Sequence, residues 1–167
     1  IPGGPACCPV PSLLQSAPMD ERLRLLRKLN RMFMEHVPHN VALGIELLTL
    51  DDGAATMRLP YRLDLVGNPD TGVLHGGAIS ALLDACCGAS VFMKLSEPMP
   101  IATLDLRIDY LRPATPELAV IAEAECYRRS KNVAFSRCVA FHEDDRDDLI
   151  ASATGAFMLA TKMGGSK

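Results

Sequence analysis

The fold is decided by residues 75–95, which read HGGAISALLDACCGASVFMKL. Over residues 77–95, apolar and small side chains occupy every side of a predicted helix, and Asp84 is its only acid. A helix that is apolar all round must be covered all round. We therefore expect a β-sheet to wrap this helix, which makes it the centre of the fold.

Strand and turn signals lie on both sides of this helix. Runs with the composition of strands occupy residues 42–50, 54–60, 104–110, 118–129, 132–142 and 149–160. The first two flank Asp51-Asp52-Gly53, whose residues tolerate the positive φ of a hairpin turn. Residues 104–110 alternate apolar and charged side chains, which indicates a half-buried strand that ends before Pro113. Residues 61–75 carry no such pattern and are expected to form a loop.

A second helix is predicted over residues 18–36, where leucines recur at helical spacing until Pro38. The expected class is thus α+β, a central buried helix wrapped by a curved, mostly antiparallel sheet of about six strands. The N-terminal amphipathic helix is an extra outer cover. Residues 1–18 hold five prolines and no charge, so we expect an irregular tail. Residues 19–162 are expected to form one domain, and residues 163–167 a C-terminal tail.

Charge and cysteine content narrow the classes of partner. Seventeen Lys and Arg against twenty Asp and Glu give a net charge of −3, which provides no field for collecting nucleic acid or anionic membrane. The apolar run 76–91 is shorter than the roughly 20 residues of a membrane span. Two vicinal cysteine pairs, Cys7-Cys8 and Cys86-Cys87, match neither a disulfide framework nor a zinc pattern. We expect free thiols, a cytoplasmic location and a small-molecule substrate.

One motif carries the chemistry: Asn68, then His75-Gly76-Gly77 at the start of the helix, then Asp84 nine residues after the histidine. This combination resembles the hotdog-fold acyl-CoA thioesterases, in particular the PaaI-type (phenylacetate-pathway) family, and order and spacing are similar from about residue 41 to 159. The resemblance implies a hotdog fold. It also implies hydrolysis of a small-to-medium acyl- or aryl-acyl-CoA thioester to free acid and CoA.

The resemblance also implies a role for each motif residue. The Gly76 N–H would donate to the oxyanion, supported by the helix dipole. Asp84, costly to maintain on an apolar helix, would serve as the general base or as a nucleophile that forms a transient anhydride. Asn68 and His75 would position the water and the thioester, although turn chemistry explains Asn68 and bracing of the turn explains His75 equally well. Thr103 corresponds to a Ser or Thr near the catalytic carboxylate, or is an ordinary strand residue.

A CoA substrate would bring phosphates to the site. Lys131, Arg128 and Arg129 lie at a predicted turn and could meet them, unless they are only surface charges. We expect no cofactor, since CoA is part of the substrate, and no metal site, because Pro38 breaks the helical spacing between His36 and His39. Cys86 and Cys87 are expected to be packing residues rather than catalytic thiols.

Helix geometry adds an expectation about assembly. Gly76 and Asp84 are eight residues apart, which places them about 12 Å apart along a helix, too far to touch one carbonyl. We therefore expect a homodimer in which each site combines Gly76 of one chain with Asp84 of the other, and a homotetramer as a dimer of dimers. The alternatives are a non-catalytic acyl-CoA binding or sensing module, a hotdog hydratase or dehydratase, and an oligomeric scaffold.

Overall fold

The computed structural model describes residues 36–96 and 99–159 of the 167-residue chain. Helix α1 (Pro38–Leu43) precedes the first strand, and helix α2 (Gly76–Met93) follows the fourth. The strands are β1 (Glu46–Asp51), β2 (Ala54–Leu59), β3 (Val66–Asn68), β4 (Val73–Leu74), β5 (Ile101–Tyr110), β6 (Val120–Arg129), β7 (Val133–Phe141) and β8 (Ala151–Leu159). The predicted helix 18–36 and both predicted tails lie almost wholly outside the described residues, which begin at His36.

Six strands form one antiparallel sheet in the order β1-β2-β6-β7-β8-β5. Its first hairpin turns at Gly53, whose φ is +71°, as the Asp-Asp-Gly signal predicted. Strands β3 and β4 form a separate two-stranded hairpin beside it. The predicted α+β class and the six-stranded antiparallel sheet are confirmed.

Helix α2 contacts all six strands of the large sheet and is the centre of the core. Its side chains Leu82, Leu83 and Val91 are fully buried, and they pack with Met57 and Phe157 of the sheet. Burial of an aliphatic side chain contributes about 1.5–3 kcal/mol, so this interface supplies much of the stability of the domain. The prediction that a sheet covers this helix is confirmed on the side that faces the sheet.

One stripe of α2 remains open, contrary to the expectation that the helix is covered all round. Ala81, Asp84, Ala85 and Gly88 recur at helical spacing and are only partly buried. The single sheet of this chain covers one side of the helix, and the small side chains on the other side expose little apolar area. The helix also runs over Gly76–Met93 rather than residues 77–95.

In two segments the observed secondary structure differs from the prediction. The strand predicted from residue 42 starts at Glu46, because α1 occupies Pro38–Leu43 and ends on Gly44 in the left-handed region at φ +70°. The predicted loop 61–75 contains a short 3-10 helix, Leu63–Leu65, and the β3–β4 hairpin. Both elements are too short to show the periodicity by which helices and strands are predicted.

Strand β5 is longer and more exposed than predicted. It starts at Ile101, and Leu104 is 56% exposed, although Leu106 and Ile108 on the same strand are partly buried. The strand lies at the edge of the sheet and pairs with β8 only. Its alternation therefore predicted a strand correctly but overestimated how much of it this chain buries.

By length and composition α2 is the one helix among the described residues that could cross a membrane. Half of its residues are buried inside the domain, against the sheet. Its apolar character is explained by its place in the core.

Candidate active site

The turn into α2 is shaped by close approach of the backbone to His75. His75 caps the helix, and its Nδ1 accepts a hydrogen bond from the Gly77 N–H at 2.9 Å. A Cβ atom on Gly77 would lie 2.8 Å from that Nδ1, and one on Gly67 would lie 2.8 Å from the His75 Cα. Glycine is therefore required at both positions. The exposed His75 ring is braced by this hydrogen bond at Nδ1.

Gly76 begins the helix with its N–H at the positive end of the helix dipole. No atom of residues 36–96 or 99–159 accepts a hydrogen bond from this N–H. The Gly76 carbonyl accepts from Tyr110 Oη at 2.6 Å and from Ser80 Oγ at 3.1 Å. Gly76, Ile79 and Tyr110 line a cavity of about 390 Å³, so the donor is available to a ligand there.

Asp84 lies in the open stripe of α2, where it is partly exposed. Thr103 of β5 donates a hydrogen bond from Oγ1 to Asp84 Oδ1 at 2.9 Å. Both residues line a second cavity of about 410 Å³, whose walls include Ala81, Ala85 and Gly88. The small side chains leave room beside the carboxylate, and the other carboxylate oxygen has no hydrogen-bond partner among the described residues.

The two halves of the predicted site are thus separate within one chain. The cavity at Gly76 and the cavity at Asp84 share no lining residue. Eight residues of α-helix separate the two groups by about 12 Å along the axis. The geometry brings Thr103 to Asp84 and leaves Gly76 apart from both.

Asn68 has a local partner in the structure. Its Oδ1 accepts from the Asp70 N–H at 3.0 Å, and its backbone carbonyl accepts from the Gly72 N–H at 2.8 Å. This is an Asx turn, the simple turn chemistry that the Asn-Pro sequence favours. The structure therefore shows a structural use for Asn68, and its role toward substrate stays a prediction.

The three cations proposed for phosphates share a property. Arg128, Arg129 and Lys131 are exposed and form no ion pair with a carboxylate in the described part of the chain. The other described lysines and arginines, at positions 58, 62, 94, 107, 112, 137 and 146, all form one. Arg129 only donates to the Lys94 carbonyl, at 3.5 Å. These three side chains are therefore free to meet an anion.

The described cysteines, Cys86, Cys87, Cys126 and Cys138, are free and buried, as predicted for thiols that pack in the core. A hydrogen bond with Cys138, together with burial, raises the pKa of the Cys87 thiol far above its usual range. A thiol held protonated is a poor nucleophile. Within the ranges 36–96 and 99–159, no three His, Cys, Asp or Glu side chains cluster as metal ligands would.

Sequence reasoning missed three residues near Gly76 and Asp84. Tyr110 and Ser80 meet at Gly76, with 2.9 Å between their hydroxyl oxygens, although they are 30 positions apart. His39 lines the Asp84 cavity, whereas the sequence analysis considered it only as a metal ligand and expected no metal site. The alternation of β5 indicated which strand Tyr110 belongs to, but no local signal showed that its hydroxyl reaches the helix start.

Comparisons with known proteins show the family of the chain. The sequence profile described as "Thioesterase superfamily" matches residues 71–148, which include the His75-Gly76-Gly77 turn and Asp84. The medium/long-chain acyl-CoA thioesterase YigI of Salmonella typhimurium is 33% identical over 147 residues, which cover 80% of this chain and 93% of YigI.

Solved structures share the fold. A protein from Pseudomonas aeruginosa is 43% identical, with a TM-score of 0.71, over 80% of this chain and 98% of that one. The PaaI protein of the Escherichia coli phenylacetic acid degradation operon matches at a TM-score of 0.70 and 19% identity, over 82% of this chain and 95% of PaaI. The fold and the site thus define a thioester hydrolase of the hotdog type. The chain belongs to the thioesterase superfamily.

Proposed function

We propose that this protein hydrolyses acyl-CoA thioesters to the free acid and CoA. The observation that carries the proposal is Asp84, held by Thr103 at the edge of an open cavity on an otherwise apolar helix. The relative named as a medium/long-chain acyl-CoA thioesterase supports CoA thioesters as the substrate class. It also favours the medium-chain end of the small-to-medium range that the sequence suggested.

The chemistry follows from the two separate groups. A water oxygen attacks the thioester carbonyl carbon while Asp84 takes the proton of that water as general base. The Gly76 N–H of a second chain, at the positive end of its helix, donates to the oxyanion that forms, because Gly76 of the same chain is too far away. The C–S bond then breaks, and the CoA thiolate leaves with the proton that Asp84 received. His75, braced through Nδ1, presents Nε2 to the thioester or the water, and no metal or cofactor takes part.

The thioester would lie between the Asp84 cavity of one chain and the Gly76 cavity of the other. The apolar wall of the Asp84 cavity, formed by Ala81, Ala85 and Gly88, suits an acyl chain. Arg128, Arg129 and Lys131 lack carboxylate partners and suit the CoA phosphates.

We place the enzyme in the cytoplasm, because its described thiols are free. We expect a homodimer that pairs into a homotetramer, because the two catalytic groups of one chain are separated.

The test is an assay of free CoA with a thiol reagent, over acyl-CoAs from butanoyl to palmitoyl and phenylacetyl-CoA. We expect turnover that is greatest with a medium chain. Asp84→Asn should keep its melting temperature within a few degrees and lower turnover at least about a hundredfold, the low end of a general base's contribution. Asp144→Asn, an exposed loop acid, is the matched control.

The outcomes separate the alternatives. A wild-type protein that binds acyl-CoA without releasing CoA would favour a binding module, and hydration of an enoyl-CoA would favour a hydratase. An Asp84→Asn protein with unchanged turnover would remove Asp84 from the mechanism. If oxygen-18 from labelled water is found in the Asp84 carboxylate after a single turnover, Asp84 acts as a nucleophile that forms an anhydride and not as a general base.

A further inference from the structure

The Gly76–Gly77 peptide is held at both ends by side chains, one from the turn itself and one from strand β5. At the carbonyl end, Tyr110 Oη donates to Gly76 O at 2.6 Å. At the amide end, the Gly77 N–H donates to His75 Nδ1 at 2.9 Å. The peptide group therefore joins Tyr110 of strand β5 to the His75 ring through two hydrogen bonds.

Ser80 adds a second hydroxyl contact to the same carbonyl. Its Oγ lies 3.1 Å from Gly76 O and 2.9 Å from Tyr110 Oη. Each hydroxyl has one proton, and the short distance from Tyr110 assigns that proton to the carbonyl. The Ser80 proton then goes to Tyr110 or to the same carbonyl, and in either case it supports the contact that Tyr110 makes.

Two consecutive glycines are the most flexible backbone that a helix can start on, because neither has a Cβ to restrict φ and ψ. An oxyanion donor, however, works only when it is held in place before the charge develops. Gly76 has no side chain to restrict its own backbone, and a Cβ there would lie in contact with Tyr110 Oη, at 3.4 Å. The restraint must come from a neighbouring element.

We propose that Tyr110, assisted by Ser80, is a positioning residue that holds the Gly76–Gly77 peptide so that the Gly76 N–H and the His75 ring face the thioester. The inference rests on the proposed function for the identity of the reaction. Tyr110 touches the peptide carbonyl and not the reacting atoms in this arrangement. Its removal should therefore weaken the transition state more than the binding of substrate.

The experiment compares Tyr110→Phe with wild type and with Tyr127→Phe, which removes an exposed tyrosine hydroxyl on another strand. We expect Tyr110→Phe to lower kcat about tenfold and to leave KM within about twofold, since one positioning hydrogen bond is lost. Amide hydrogen exchange at Gly77 should rise about fivefold, without a matching rise along β5. Tyr127→Phe should change neither quantity.

A second variant covers the case in which Tyr110→Phe does not fold. Ser80→Ala should lower kcat about threefold and speed exchange at Gly77, and Ser80→Thr, which keeps the hydroxyl, should restore both. Unchanged kcat and unchanged Gly77 exchange in Tyr110→Phe would overturn the inference. So would a loss of kcat with faster exchange throughout the domain.

A wild-type protein without hydrolytic activity would refute the proposed function alone. The exchange rate at Gly77 would still decide whether Tyr110 holds the peptide.

Discussion

At the scale of single residues, the hydrogen bond from Thr103 to Asp84 determines what the carboxylate can do. Thr103 Oγ1 donates a hydrogen bond to Asp84 Oδ1 at 2.9 Å, which leaves Asp84 Oδ2 for a water molecule. A carboxylate anchored at one oxygen keeps its second oxygen in a defined direction, as a general base requires. Residues 84 and 103 come from a helix and an edge strand, so the packing of β5 beside α2 sets this geometry.

Thr103→Val tests that anchor with a side chain of nearly the same shape. The hydroxyl donor is lost, and we expect kcat to fall about tenfold with little change in KM, because the carboxylate is no longer held. Thr103→Ser keeps the donor and should stay within about threefold of wild type. Steady-state kinetics on one medium-chain acyl-CoA decide the matter. Equal losses in both variants would show that packing of the methyl group, and not the hydrogen bond, is what matters.

At the scale of elements, helix α2 has two different sides. One side lies in the core and carries cysteines, and the other side carries the catalytic carboxylate. Its buried side carries Cys86 and Cys87, which meet Cys138 of strand β7, while its open stripe carries Asp84. Small residues on both sides let the sheet come close to the helix and leave space at the stripe. The same helix therefore serves as the centre of the core and as the floor of a cavity.

The buried thiols predict a loss of stability at alkaline pH. The hydrogen bond with Cys138 and the burial of the thiol raise the pKa of Cys87 above its ordinary value of 9.0. Above that pH the unfolded chain releases the proton that the folded chain keeps, so the free energy of unfolding falls as pH rises. The slope from this one thiol is up to about 1.4 kcal/mol per pH unit.

Urea denaturation at pH 7, 9 and 10 measures this effect. Cys87→Ala should lose part of the alkaline decline that the wild type shows. Val91→Ala, a core substitution without an ionisable group, should be less stable at every pH but keep the full decline. An identical decline in Cys87→Ala and wild type would show that other groups cause it.

At the scale of the whole molecule, the separation of Gly76 from Asp84 decides how a site can be assembled. The two groups line different cavities and are about 12 Å apart along one helix. The open stripe of α2 leaves small side chains partly exposed around Asp84, and Leu104 of the edge strand β5 is 56% exposed. Two chains with antiparallel helices would bring Gly76 of one chain to Asp84 of the other and cover this surface.

Mixed refolding tests the shared site. One parent is Asp84→Ala, the other combines His75→Ala with Asn68→Ala, and each refolded alone should be inactive. Refolded together in equal amounts, they form about half mixed dimers, each with one intact site of two, so about a quarter of the wild-type activity should return. No recovery, with mixed dimers shown to be present, would refute the shared site, as would an active monomer.

The unpaired cations make a separate prediction for the substrate's nucleotide. We expect at least one of the charge-reversal variants Arg128→Glu, Arg129→Glu and Lys131→Glu to have a raised KM for acyl-CoA. Hydrolysis of a short acyl-pantetheine, which lacks the nucleotide, should be spared. Added salt should weaken acyl-CoA binding in the same direction, because exposed phosphate contacts are screened. Equal effects of a variant on both substrates would point to a general structural change.

The sequence by itself determined the central helix, the six strands and the positions of His75, Gly76 and Asp84, because periodicity, turn residues and motif spacing are local properties of the chain. Only the tertiary structure decided that Thr103 meets Asp84, that Tyr110 reaches Gly76 and that a stripe of the helix stays open. The physical reason is that strand order and register join residues far apart in sequence, and no local pattern encodes them. Short elements such as α1 and the β3–β4 hairpin were not predicted from the sequence for a related reason. They are stabilised by their neighbours and are too short to show a hydrophobic period.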